Sequence, residues 1–243
     1  MLETANHRSL SDSLWPAIAA VMVTTAIVAI FLLAPTEATM GAAQRIVYIH
    51  VSVAWMGLAA FVLMAVTGGM YLLRRDLAWD HWSRAALEIG WLCCSLTLAT
   101  GSLWAHAAWN TWWTWDPRLT TAFVLWAMYS AALVLRSGVD DPHRRARIGA
   151  IVAIVGVLDV PLVIMATRWF RGIHPKSPHM EPSMRVVLLT SVVCFTAFFT
   201  MLLLLRRSQL HVAEILEDMQ SQTLECGDLS PLSAELCEAL PYK

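Results

Sequence analysis

Six apolar stretches, near residues 15–34, 46–73, 85–103, 118–136, 148–168 and 185–205, dominate this chain. Each approaches or exceeds the roughly 20 residues that an α-helix needs to cross a hydrocarbon core. Inside lipid the backbone must satisfy its own polar groups, so such spans are helices or strands of a closed barrel. Runs of this length, without strict alternation, select helices. Only 14% of the residues are charged and 58% are hydrophobic, against roughly 25% charged in a soluble domain. The fold class is therefore all-α, a polytopic integral membrane protein with six transmembrane helices. The net charge of −1 says nothing about nucleic acid, there is no basic tract, and no nucleic-acid partner is expected. The second stretch is longer than a bilayer requires, so it tilts or projects beyond the lipid.

Lysine and arginine set the orientation. With both termini cytoplasmic, 11 of the 17 cationic side chains lie inside and 6 outside. The outer six are Arg45, Arg118, Arg168, Arg171, Lys176 and Arg185. They suit either the anionic groups of a ligand or lipid headgroups reached by snorkelling. The first apolar run is about 20 residues long and no small-residue cleavage site follows it, so it reads as a span and not as a cleaved signal peptide. The five cysteines form no disulfide framework: Cys93, Cys94 and Cys194 lie in spans, and Cys226 and Cys237 lie in a tail placed in the reducing cytoplasm. No C-x-x-C-H run is present, so the chain carries no covalent c-type haem of its own. Residues 206–243 form that tail, with a helix expected at 209–224.

The outer side holds three connecting segments, 35–45, 104–117 and 169–184. Five tryptophans fall within twelve residues of the second: Trp104, Trp109, Trp112, Trp113 and Trp115, closed by Asp116. Tryptophan gathers at bilayer interfaces, but a belt needs neither five together nor a carboxylate. Dense indoles offer flat apolar area at little rotamer cost, which suits a planar apolar molecule. A helix over 109–116 would put Trp109, Trp112, Trp113 and Asp116 on one face. Asp116-Pro117 also reads as the N-cap and first residue of the fourth span.

Histidines lie beside this segment. His50 opens the second span in Tyr48-Ile49-His50-Val51, and His174 lies in the third outer segment. Two histidines from separate segments can supply both axial nitrogens of a haem iron. His106 and His179 are rival ligands. His7, His81, His143 and His211 fall on the cytoplasmic side and read as solvated. Asp159, two residues before Pro161 in the fifth span, is expensive in lipid and reads mainly as part of a kink, satisfying a donor that the proline frees. H-E-x-x-H, Walker A and G-x-S-x-G motifs are absent, and no nucleophile–base pair is legible.

The tryptophan pattern ending in Trp115-Asp116 resembles the WWD signature of haem-handling membrane proteins. With six spans, His50 in Tyr-Ile-His-Val and His174 in Arg-Trp-Phe-Arg-Gly-Ile-His-Pro, residues 14–205 resemble the CcmC family of system I cytochrome c maturation. The resemblance implies that haem b is held at the periplasmic face of the bacterial inner membrane as a transported ligand. It implies His50 and His174 as axial ligands and Trp104, Trp109, Trp112, Trp113, Trp115 and Asp116 as the platform. Arg45 and Arg118 flank these elements and suit the propionates. Residues 1–205 would be the haem-handling domain, with the WWD segment at 104–117. The implied partners are a periplasmic haem chaperone, a small single-span membrane subunit, and an ABC-type ATPase with its membrane subunit. The implied role is delivery, not catalysis. This chain departs from the family in carrying Ala105 and Asn110 where glycine follows the first two tryptophans, Phe170 for a tryptophan, and Asp159 for an asparagine. Two other readings predict different features. Passage of haem through the bundle needs polar residues deep in the spans, where only Asp159 stands clear. A structural subunit needs no ligating histidines.

Overall fold

The computed structural model describes residues 10–174 and 180–227, with side chains over 14–174 and 180–223. His7, Arg8, Lys176, His179, Cys237, Lys243 and the tail beyond residue 227 lie outside the described residues, as does the side chain of Cys226. Among the described residues seven helices follow in order: α1 (Leu10–Val28), α2 (Gln44–Arg74), α3 (Leu77–Trp109), α4 (Pro117–Ser137), α5 (Pro142–Gly156), α6 (Asp159–Trp169) and α7 (Pro182–Gly227). A π-turn, Ala29–Leu33, closes α1. Among the described residues there is no strand, only a bridge between Glu37 and Gly41. Six segments among the described residues are long and apolar enough to cross a membrane, α5 and α6 together making one.

Local chemistry sets the helix ends. Arg75, in the left-handed region at φ 57°, terminates α2. Asp76 then caps α3 by accepting from the Ala78 N–H at 2.9 Å. Only Arg75 and Asp76 separate the two helices, so α2 and α3 form a tight antiparallel hairpin, the most extensive helix pair of the bundle. Asp141 caps α5 at the Arg144 N–H. In the 35–45 segment, the Glu37 carboxylate accepts backbone bonds from Met40 and Thr39. These bonds hold its carboxyl below the usual range, the Met40 bond contributing most.

The fifth span is broken. Around residues 157–158 the backbone bonds shorten to a three-residue spacing, with Leu158 N–H to Val155 and Val160 N–H to Val157. Pro161 is the third residue of α6, in the first turn, where no intrahelical N–H is needed. The kink expected at Asp159-Val-Pro is present, but Asp159 satisfies no freed donor through Oδ2, which is buried without a hydrogen-bond partner. The backbone closes the break by itself.

α2 is central, packing on α3, α5 and α7. The main core gathers Phe61, Met64, Leu87, Leu125 and Tyr129. Tyr129 is fully buried, and its hydroxyl donates to the Gly57 carbonyl at 2.8 Å. Its ring lies where a Cβ on Gly90 would stand, so only glycine lets α3 and α4 meet there. At the other end of these helices Arg136 donates to both Asp80 oxygens, at 2.8 and 2.7 Å, joining α4 to α3.

The histidines expected to be solvated are not all so. His81 is buried and contacts Glu214, whereas His143, which Tyr71 bonds, and His211 are exposed. Its position between spans put His81 at a bundle end but could not show which neighbours cover it.

Candidate functional site: an apolar cleft with two histidines

One cleft stands at the bundle end where α1, α3 and α6 finish and α2, α4 and α7 begin. Its atom-free space is about 830 Å³, a figure that includes open solvent at its mouth. Its wall is mostly apolar, drawn from α2, α3, α4, α6 and the turn that follows α6.

Six of the ten residues singled out in the sequence line it: His50, His174, Trp104, Trp109, Trp113 and Arg118. His50 reaches it from the second turn of α2, and His174 from the 170–174 turn, 124 positions away in the chain. Both imidazoles are half-buried. Trp104 is buried against Val47, Met180 and Met184. Trp109 meets Trp104 edge-on with ring centroids 4.6 Å apart. The indole N–H groups of Trp104 and Trp113 are buried without a hydrogen-bond acceptor among the described residues. A buried donor left in that state costs roughly 1–3 kcal/mol.

Four residues lie elsewhere. Trp112 is 56% exposed and stacks edge-on with His106 at 4.0 Å, and Trp115 is 72% exposed against Trp113 and Phe123. His106 is thereby drawn to Trp112 and does not line the cleft. Arg45, in the first turn of α2, is also off the cleft wall. Asp116 stands behind the wall. It caps α4 by accepting from the Leu119 N–H at 2.8 Å, and its second oxygen lies 3.4 Å from the backbone N of His174. The capping role read from Asp116-Pro117 is present, and the same carboxylate fastens the turn that carries His174.

The helix over 109–116 that would put Trp109, Trp112, Trp113 and Asp116 on one face does not form. α3 runs on through Trp109 and stops at Asn110, which adopts a left-handed conformation at φ 53°. Asparagine tolerates that conformation better than most residues. Residues 111–116 then cross to α4 without helix. Trp104 and Trp109 therefore project from the end of a span, and Trp112, Trp113 and Trp115 from a connecting strip.

Two residues at the site were not singled out in the sequence. Thr100 Oγ1 lies 3.1 Å from His50 Nδ1. A Cβ built on Gly101 would stand 2.9 Å from His50 Cε1. The signal was available: Thr97, Gly101, Trp104, Ala105 and Trp109 share one helical face, and all line the cleft.

The helices and the cleft define a multi-pass membrane protein with an apolar cleft at one end of its bundle. Residues 3–223 match the family profile described as heme exporter protein C, CcmC, and the chain belongs to that family. It is 34% identical to the heme exporter protein C of Bradyrhizobium diazoefficiens over 178 residues, covering 70% of this chain and 67% of the relative. It is 31% identical to that of Escherichia coli K12 over 201 residues, covering 81% and 82%. A putative cytochrome c biosynthesis ccmC-like mitochondrial protein of Arabidopsis thaliana is 27% identical over 209 residues, covering 84% and 79%.

Proposed function

We propose that this protein takes part in haem export for cytochrome c maturation, binding haem b at the periplasmic face of the bacterial inner membrane and handing it to a periplasmic haem chaperone. The observation that carries the reading is the meeting of His50 and His174, from distant segments, on one tryptophan-lined apolar cleft. Haem needs axial nitrogens, flat apolar walls and partners for two carboxylates. The histidines are the donors for iron, and Trp104, Trp109 and Trp113 offer the apolar faces. Arg118 and the unpartnered indole N–H groups of Trp104 and Trp113 suit the carboxylates. Exposed Trp112 and Trp115 form the rim facing a partner. Asp116 and Arg45 support this site from outside the cleft.

The cleft is open on one side, as handover requires. Both termini are cytoplasmic in this reading, and residues 206–243 extend there beyond the haem-handling domain of residues 1–205. Partner subunits are an ABC-type ATPase with its membrane subunit and a small single-span protein. Haem is cargo, and the chain delivers it without catalysing a reaction.

The test is the visible spectrum and haem content of the purified protein, unchanged and as His50→Ala and His174→Ala. A bis-histidine spectrum lost in both variants supports the ligand pair. An unchanged spectrum in both removes it, and no haem in any form favours a structural subunit.

A further inference from the structure

A second cluster of ligating side chains lies at the opposite end of the bundle. His81 is near the start of α3, about 35 Å along that helix from Trp104 at 1.5 Å per residue. His81, His211 and Glu214 each present one ligating atom, and these atoms lie within 4.8 Å of one another. His81 Nε2 is 2.9 Å from Glu214 Oε2, and the His81 and His211 rings are 5.5 Å apart. His211 and Glu214, three residues apart on α7, share a helix face.

We propose that His81, His211 and Glu214 bind one first-row divalent cation of the Zn²⁺ type, which clamps the extension of α7 to the base of α3. Two imidazoles and a carboxylate form a donor set suited to zinc, with a fourth position left for water. Nitrogen and oxygen ligands about 2.0–2.2 Å from zinc stand roughly 3.4 Å apart in a tetrahedron. The His81–Glu214 contact is already shorter than that. His211 is exposed, so its side chain is free to close the remaining gap. His81 is buried and supplies the fixed member. On binding, the cation takes the place of the His81–Glu214 hydrogen bond, and the single ring proton of His81 sits on Nδ1.

The surrounding contacts point to the same seam. Arg207 lies over the Trp82 ring at 4.7 Å, and Arg206 pairs with Glu88, both joining α7 to α3. Positions 207, 211 and 214 follow one face of α7, and Leu210 between them is buried in the core. The cation would extend this seam by one turn. Arg207 opposes a cation here, but its charge is held against an indole face. Nearby Asp80 is already paired with Arg136, so Glu214 is the carboxylate available to a metal.

The test is Zn²⁺ retention by the full-length, haem-free protein in detergent, without a histidine tag, by equilibrium dialysis against a competing chelator. The unchanged protein should hold one Zn²⁺. His211→Ala and Glu214→Gln should each weaken it by more than the roughly 10–100-fold lost when an outer-shell partner of a metal ligand is removed. His211 is exposed and Glu214 half-buried, so both variants test ligation with little disturbance of packing. A His50→Ala/His174→Ala variant, which empties the cleft of imidazoles, should keep the Zn²⁺. Equal affinity in the unchanged protein, His211→Ala and Glu214→Gln would overturn the proposal. So would no Zn²⁺ in the unchanged protein, or its loss only from the cleft variant.

Discussion

His50 Nδ1 lies 3.1 Å from Thr100 Oγ1, and the same hydroxyl lies 2.6 Å from the Leu96 carbonyl. A hydroxyl has one proton, and the short bond to Leu96 uses it. Thr100 therefore offers His50 a lone pair, and Nδ1 carries the ring proton. Nε2 is then the bare nitrogen, the state that an iron ligand requires. Outer-shell partners of this kind fix the tautomer and orientation of a metal-bound imidazole. Thr100→Val keeps the shape and removes the acceptor. Haem affinity, followed by titration at the Soret band, should fall about 10–100-fold, and Thr100→Ser should restore it. Equal affinity in all three proteins would show that the contact does not set the tautomer.

Gly101 gives a prediction in which stability and binding move in opposite directions. It lies inside α3, where replacing glycine by alanine gains roughly 0.5–1 kcal/mol of helix stability. Its new Cβ would stand 2.9 Å from His50 Cε1, closer than carbon atoms approach without one moving. The imidazole must turn out of its present position. Gly101→Ala should keep its helix content and resist denaturation at least as well, yet lose the bis-histidine spectrum. A variant with normal haem and normal spectrum would show that His50 has room to spare.

The six spans and the tryptophan–histidine grouping were legible because lipid imposes length and polarity directly on sequence. The end of α3 was not. Apolar content marks hydrocarbon thickness, whereas Asn110 ends the helix by its backbone conformation, two turns beyond the apolar run expected to end at residue 103. That shift moved Trp104 and Trp109 from a surface strip onto a span. α7 likewise runs unbroken from Pro182 to Gly227, so the helix expected at 209–224 continues the last span. The partners of His50, His81 and Asp80 are distant in sequence, at Thr100, Glu214 and Arg136. No local pattern announces them.

Asp116 performs two tasks that substitution can separate. Asparagine caps helices about as well as aspartate, whereas alanine costs about 1 kcal/mol. The second carboxylate oxygen faces the His174 N–H, and an asparagine that keeps the cap presents an NH₂ group there. Asp116→Asn should change denaturation by only a few tenths of a kcal/mol while weakening haem binding. Asp116→Ala should lower both. Matching haem affinity in Asp116→Asn and the unchanged protein would confine this residue to capping.

The tryptophans should divide by burial. Trp104 is 9% exposed and packed on three sides, so Trp104→Ala should cost about 3–5 kcal/mol in denaturation, as large aromatic truncations do. Trp115 is 72% exposed, and Trp115→Ala should stay within about 0.5 kcal/mol of the unchanged protein. With a rim role, Trp115→Ala retains haem but transfers it more slowly to an acceptor chaperone, read by the appearance of chaperone-bound haem. Unimpaired transfer would remove Trp115 from the handover surface.

The Asp80–Arg136 pair tests how the end opposite the cleft is held. Both side chains are more than nine-tenths buried, and two parallel bonds join them. Arg136 also reaches the Arg145 carbonyl, so one guanidinium ties α3, α4 and the start of α5. Removing one partner leaves an uncompensated buried charge, a loss of about 3–5 kcal/mol. Asp80→Ala should therefore denature far more readily than the unchanged protein in mixed micelles. Replacing both charges with apolar side chains of similar volume, as Asp80→Leu with Arg136→Met, should recover most of that loss, because neither charge then needs a partner. If the double variant is as unstable as Asp80→Ala, the pair contributes through its geometry between three helices, and mutual neutralisation is not its main role.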